Sequence, residues 1–206
     1  MNSSRAFRVV EMFEEAVAEY TGAPYVVAVN SCSAALHLCC IYYAQCREIS
    51  IPKRTYPSVL HGALNAGLRV TFRDEQWSGA YQLAPTPIWD CAKRFTRDMY
   101  VPGQVQCVSF HPRKLLPVGQ GGAVLSDDLD LTLWLRRMRF DGRRENVPTA
   151  EDKFDMAGYH YYMSPETAAR GLWLLEYYPK DVPDQPVDNY PDLSKSPLAQ
   201  HQGDPK

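Results

Sequence analysis

"YVVAVNSCSAALHL", residues 25–38, decides how the chain is read. Tyr25 to Val29 form a short apolar run with three valines, the composition of a buried strand. Asn30, Ser31 and Ser33 are capping residues, and the apolar stretch after them reads as a helix. Strand, polar turn and helix N-terminus together outline an anion site. The first backbone N–H groups of a helix have no partners within it, and the helix dipole favours negative charge there. A plain capped helix has the same appearance, so the neighbouring sequence has to separate the two.

Outward from this stretch the chain keeps alternating. Phe7, Val10, Phe13, Val17 and Tyr20 recur at three- and four-residue steps, one face of an amphipathic helix. "ISIP" and "RVTF" read as strands on either side of a helix closed by Gly67. "PIWD", "QCVSF" and "AVLS" read as further strands. A helix begins at Asp128, and another has Ser164 at its N-cap and Pro165 at its first position. Strands alternating with helices predict an α/β protein with a mainly parallel sheet flanked by helices. One domain over residues 1–180 is expected, with 181–206 a proline-rich tail, extended or disordered.

Composition excludes some classes. The 206 residues carry a formal net charge of −2, so no global basic field advertises a polyanion. The six cysteines show neither CxxC nor Cys/His metal spacing and read as free thiols of a reducing compartment. With no apolar leader or membrane-length run, a cytoplasmic protein away from membranes is expected.

Three features fall at strand ends, where open α/β sheets bind ligands. The first is the residue 30–33 turn. The second is Asp90, closing "PIWD". The third is "SFHPRKLLPVGQGG", residues 109–122, where Lys114 follows Ser109 by five positions and precedes Gly119, Gly121 and Gly122. These glycines allow positive φ or a close backbone approach. Each feature alone reads as ordinary: an N-cap, a strand-end Asp, a surface lysine. Together they match the needs of pyridoxal phosphate (PLP): an amine for a Schiff base, a carboxylate for the pyridine nitrogen and a cradle for the phosphate.

The sequence resembles the DegT/StrS-type sugar aminotransferases, a family of fold-type I PLP enzymes. "NSCSAAL" is similar to their "NSGTAAL" phosphate loop, "WDCAK" to "EDAAQ", and "GYHYYMSPETAARGLWLLEYY" to "GYNYRMSEIQAAIGLAQL". "SFHPRKLLPVGQGGAVL" resembles their lysine loop, with the same serine-to-lysine spacing. The resemblance implies that Lys114 forms the Schiff base and moves protons at the substrate α-carbon, and that Asp90 pairs with the pyridinium. It implies that Tyr56 stacks on the ring, that Ser31, Cys32, Ser33 and Ser109 surround the phosphate, and that two copies pair as a homodimer. Lys93 stands where the family has glutamine near the cofactor's phenolic oxygen. His160 stands where the family has an asparagine reaching a neighbour's cofactor phosphate, and Tyr162 replaces an arginine. The chain is also shorter than the family pattern, between "VTFRDEQ" and "PIWD" and beyond Tyr178.

The implied reaction is amino-group transfer to a keto sugar on a nucleotide. The rivals are decarboxylation or another α-carbon step on an amino-acid-modified nucleotide or DNA base, and a non-catalytic relic. Arg136, Arg137, Arg139, Arg143 and Arg144 read either as a solvated basic face or as a surface for an anionic substrate or nucleic acid.

Overall fold

A computed structural model describes residues 7–145, 147–200 and 202. Helix α1 (Arg8–Thr21) ends at Gly22, whose φ of 77° is the left-handed conformation that stops a helix. It leads into β1 (Tyr25–Val29) and α2 (Cys32–Tyr42). β2 (Glu48–Pro52), α3 (Pro57–Asn65) and β3 (Arg69–Arg73) make a parallel two-stranded unit with a helical crossover. Then come β4 (Tyr81–Gln82), β5 (Ile88–Asp90), β6 (Val105–Ser109) and β7 (Gly122–Ser126), followed by α4 (Leu129–Met138), α5 (Pro165–Glu176) and the short α6 (Pro197–Gln200).

The main sheet has the order β1-β7-β6-β5-β4. It corrects the expected mainly parallel pairing. Only β5 and β6 pair in parallel, while β1–β7, β6–β7 and β4–β5 are antiparallel. The reason lies in the connection. β6 and β7 are joined by the lysine-bearing loop with no helix between, and a return without a crossover forces antiparallel pairing. The fold is α/β with a mixed sheet. β1, β5 and β6 nevertheless all point the same way, since β1 and β6 both oppose β7. Their three carboxyl ends therefore open on one edge.

The strand period of two divides the interior. Val27, Val29, Cys107 and Val124 face a core shared with α2, α3 and α4. Val26, Ala28, Val108, Ala123 and Leu125 face the other core, against Val10, Phe13 and Val17 of α1 and Ala168 of α5. All six cysteines are free thiols. Among the described residues no helix is long and apolar enough to cross a membrane.

The arginine cluster is tied into the fold. Arg139 is buried and binds Glu14, Glu145 and the carbonyl of Ala28. Arg136 reaches Glu14 at 2.7 Å, and Arg144 contacts Asp152 and Asp155 at 2.9 and 2.8 Å. Arg137 pairs with Asp155, and Arg143 donates to Thr149 while lying over the Phe140 ring. Five arginines share four carboxylates within the chain, Glu14, Glu145, Asp152 and Asp155.

Residues 184–200 and 202 lie against the domain, with Leu193 buried and Gln202 exchanging hydrogen bonds with the backbone of Val70.

Candidate active site

Strand β1 delivers the chain to Ser31, whose hydroxyl accepts from Ala34 N at 3.1 Å and caps α2. This leaves the first N–H groups of α2 directed out of the helix at the sheet edge. Gly122 makes this placement possible, because a Cβ there would overlap the backbone of Ser31 and Cys32. At Gly122 the close backbone approach is that of β7 to the start of α2. Gly119 and Gly121 carry the positive φ angles, 116° and 140°. Cys32 turns its thiol inward, 3.6 Å from the carbonyl of Cys107, so it offers the cradle only its backbone. Burial pushes that thiol's pKa well up.

Asp90 ends β5, buried, with both oxygens engaged. Ala92 N donates to Oδ1 at 2.9 Å, and the Tyr81 hydroxyl donates to Oδ2 at 2.8 Å. The β4–β5 register sets Tyr81 directly opposite Asp90. Thr55 lies 2.6 Å behind the Tyr81 hydroxyl, completing a buried relay. Burial raises the Asp90 pKa, while the Ala92 N–H, the Tyr81 O–H and the charge of Lys114 pull it back.

Lys114 follows β6 in a tight turn, its N–H bonded to the carbonyl of His111 at 2.8 Å. Its ammonium is partly buried, and among the described residues no carboxylate lies within ion-pair distance of it. Burial lowers its pKa, the neighbouring charge of Lys93 lowers it further, and Asp90 opposes both. Lys93 itself is buried at 5% exposure, with its ammonium 2.8 Å from Asp188.

Ser31, Cys32, Ser33, Tyr56, Asp90, Lys93, Ser109 and Lys114 all line one cavity of about 690 Å³, a volume suited to a cofactor-sized molecule. Ser33 shares a 2.6 Å hydrogen bond with Ser58 at the start of α3. Tyr56 stands exposed at the mouth and meets the Tyr190 ring edge-on at 6.1 Å. His160 does not join them. It is exposed and 3.0 Å from Asp141, outside the cavity of its own chain. Thr55, Ser58 and Tyr81 were not legible as site residues. Ser58, just after Pro57 at a helix start, carried a signal; Tyr81, on a two-residue strand, carried none.

The family model of the DegT/DnrJ/EryC1/StrS aminotransferases matches residues 3–89 and 99–183. The chain belongs to this family. Residues 90–98, with Asp90 and Lys93, fall between the two matched stretches. A curated relative, UDP-4-amino-4,6-dideoxy-N-acetyl-beta-L-altrosamine transaminase of Campylobacter jejuni, is 25% identical over 214 residues, covering 81% of this chain and 56% of its own. AtS13 from Actinomadura melliaura superposes with a TM-score of 0.74 at 21% identity, covering 84% of this chain and 60% of its own. Helicobacter pylori PseC, an aminotransferase of pseudaminic acid biosynthesis as its structure is described, gives 0.67 at 16%, covering 87% and 63%. The chain thus spans under two thirds of the length of each.

Proposed function

We propose that this cavity holds pyridoxal phosphate on Lys114 and that the chain transfers an amino group to a keto sugar carried on a nucleotide. One observation carries the reading. A lysine whose charged form is disfavoured shares a cavity with a buried, hydrogen-bonded carboxylate and the open N-terminus of α2. The curated relative is named as a transaminase of a UDP-linked sugar, which supports the substrate class.

The residues fit the cofactor. An ionised carboxylate has about four acceptor sites, and Asp90 uses two on Ala92 and Tyr81. It retains capacity for a ring N–H, and a cation there would hold it ionised against its burial. The α2 N–H groups and the hydroxyls of Ser31, Ser33 and Ser109 suit a phosphate. Tyr56 covers the mouth. When bound, the cofactor supplies an aldehyde for amines and an electron-accepting ring. Lys114 Nζ, whose burial favours the neutral amine, would be both the nucleophile for that aldehyde and the base that takes a proton from the substrate α-carbon. A homodimer belongs to this proposal, with the exposed His160 turned toward a second subunit.

The test is direct. Added PLP is expected to give a visible absorption band, and borohydride followed by peptide mass mapping is expected to fix the cofactor mass on Lys114. L-glutamate should then convert the cofactor to its amine form, and a nucleotide-linked keto sugar should restore it. Release of carbon dioxide without that conversion would replace transfer by decarboxylation. A protein that stays colourless would remove the cofactor reading altogether.

A further inference from the structure

Beyond residue 183, where the family match ends, the chain runs along the mouth of the cavity. The Asp184 carboxylate accepts from Arg94 Nε and Nη2 at 3.0 and 2.6 Å. It lies against Gly79, where any Cβ would overlap it. Gln185 N donates to the carbonyl of Lys93 at 2.9 Å. Asp188 Oδ2 then meets Lys93 Nζ at 2.8 Å and accepts from the Tyr190 hydroxyl at 2.7 Å. Further on, Leu193 N donates to the carbonyl of Lys53 at 2.8 Å.

The two members of the Lys93–Asp188 pair are unequal. The lysine side chain is 6% exposed and sits in the wall, whereas the aspartate side chain is 60% exposed and sits on the strap. A buried ammonium needs an anion, but this anion is held from the solvent side. Gln185 Oε1 is buried with no partner among the described residues, so the closed strap leaves an acceptor unsatisfied. The other carboxylate in the cavity, Asp90, is engaged by Tyr81 and Ala92. Lys93 lines the same cavity as Lys114. An α-amino acid carries its carboxylate and amine on one carbon, so a carboxylate at Lys93 brings the amine toward Lys114.

We propose that Lys93 is the subsite for the carboxylate of the amino-acid substrate, and that Asp188 occupies it as an internal stand-in that the amino acid displaces. The inference rests on the reading of Lys114 given above and adds its amino donor's anchor and a competing strap.

Hydrogen–deuterium exchange on the full chain, with and without PLP, tests it through peptides covering residues 184–193. Saturating L-glutamate is expected to raise exchange there severalfold, while UDP leaves it unchanged. Asp188→Asn is expected to open the strap without ligand and to tighten glutamate binding about tenfold. Lys93→Met also opens it, and glutamate then has no further effect; Lys93→Arg, which keeps the cation, retains the response. A strap indifferent to glutamate in both forms of the protein overturns the proposal, as does one opened by UDP and not by glutamate. Cofactor uptake is read separately from the absorption band. A protein that never colours rejects the PLP reading, and one that colours with an indifferent strap rejects the subsite alone.

Discussion

The Tyr81 hydroxyl donates to Asp90 Oδ2 at 2.8 Å from the residue directly across the strand pair, with Thr55 2.6 Å behind it. The buried carboxylate is thus held by neutral donors, which in the proposed function would leave it free to meet a ring nitrogen. Tyr81→Phe keeps the ring and removes the donor. The Asp90 pKa should rise further, since that bond lowers it. PLP affinity should fall about tenfold, on the order of 1.4 kcal/mol, read by absorbance titration; an unchanged Kd would show that the relay is only structural.

Lys114 gives a pH dependence with a defined sign. Its folded pKa lies below the ordinary 10.5, through burial first and Lys93 second. Between the two values the unfolded chain binds more protons, so this group's contribution makes stability rise with pH across that window. The neutral amine also appears at lower pH than in a solvated lysine. The rate of borohydride-fixed adduct formation at Lys114 should therefore have a depressed midpoint. Lys93→Met should move that midpoint up, yet not to 10.5, because burial remains.

Arg139 is expected to matter for stability rather than for binding anions. It is buried against Glu14, Glu145 and the Ala28 carbonyl. Arg139→Met leaves buried Glu14 with Arg136 and the Ala28 N–H as its remaining partners, so the loss should fall at or below the about 3–5 kcal/mol of a fully broken buried pair. Urea denaturation measures it. Weakened anion binding at unchanged stability would favour the surface reading of the cluster.

Gly122→Ala should injure the site from outside it. Its new Cβ would overlap the main chain at the start of α2, and rigid backbone yields only by shifting. PLP uptake and thermal stability should both drop. Gly119→Ala has open space around it and pays only the strain of a φ of 116°, so its melting temperature should fall while cofactor affinity is retained.

The elements were legible because their signals are local. The α1 apolar face, the Ser164–Pro165 helix start and the strand-end positions of Asp90 and Ser109 all follow from short-range periodicity and capping. The sheet's mixed pairing was not legible, since it depends on how the lysine loop returns. Nor was the pairing of the arginines, because Glu14 lies 125 residues before Arg139 in sequence. Tyr81 lies close to Asp90 in sequence, but its role arises from strand register, and that of Asp188 arises from a strap with no regular periodicity.

The inward turn of the Cys32 thiol has an evolutionary corollary. The end of the cavity beside Ser31 and Cys32 presents main chain, positioned by the absence of a side chain at Gly122. In the proposed function its grip would depend on that backbone more than on the Cys32 side chain. The opposite rim, with Tyr56, Lys93 and the strap, is made of side chains and varies with every substitution. A lineage built this way can change its clientele while keeping the same tool in hand.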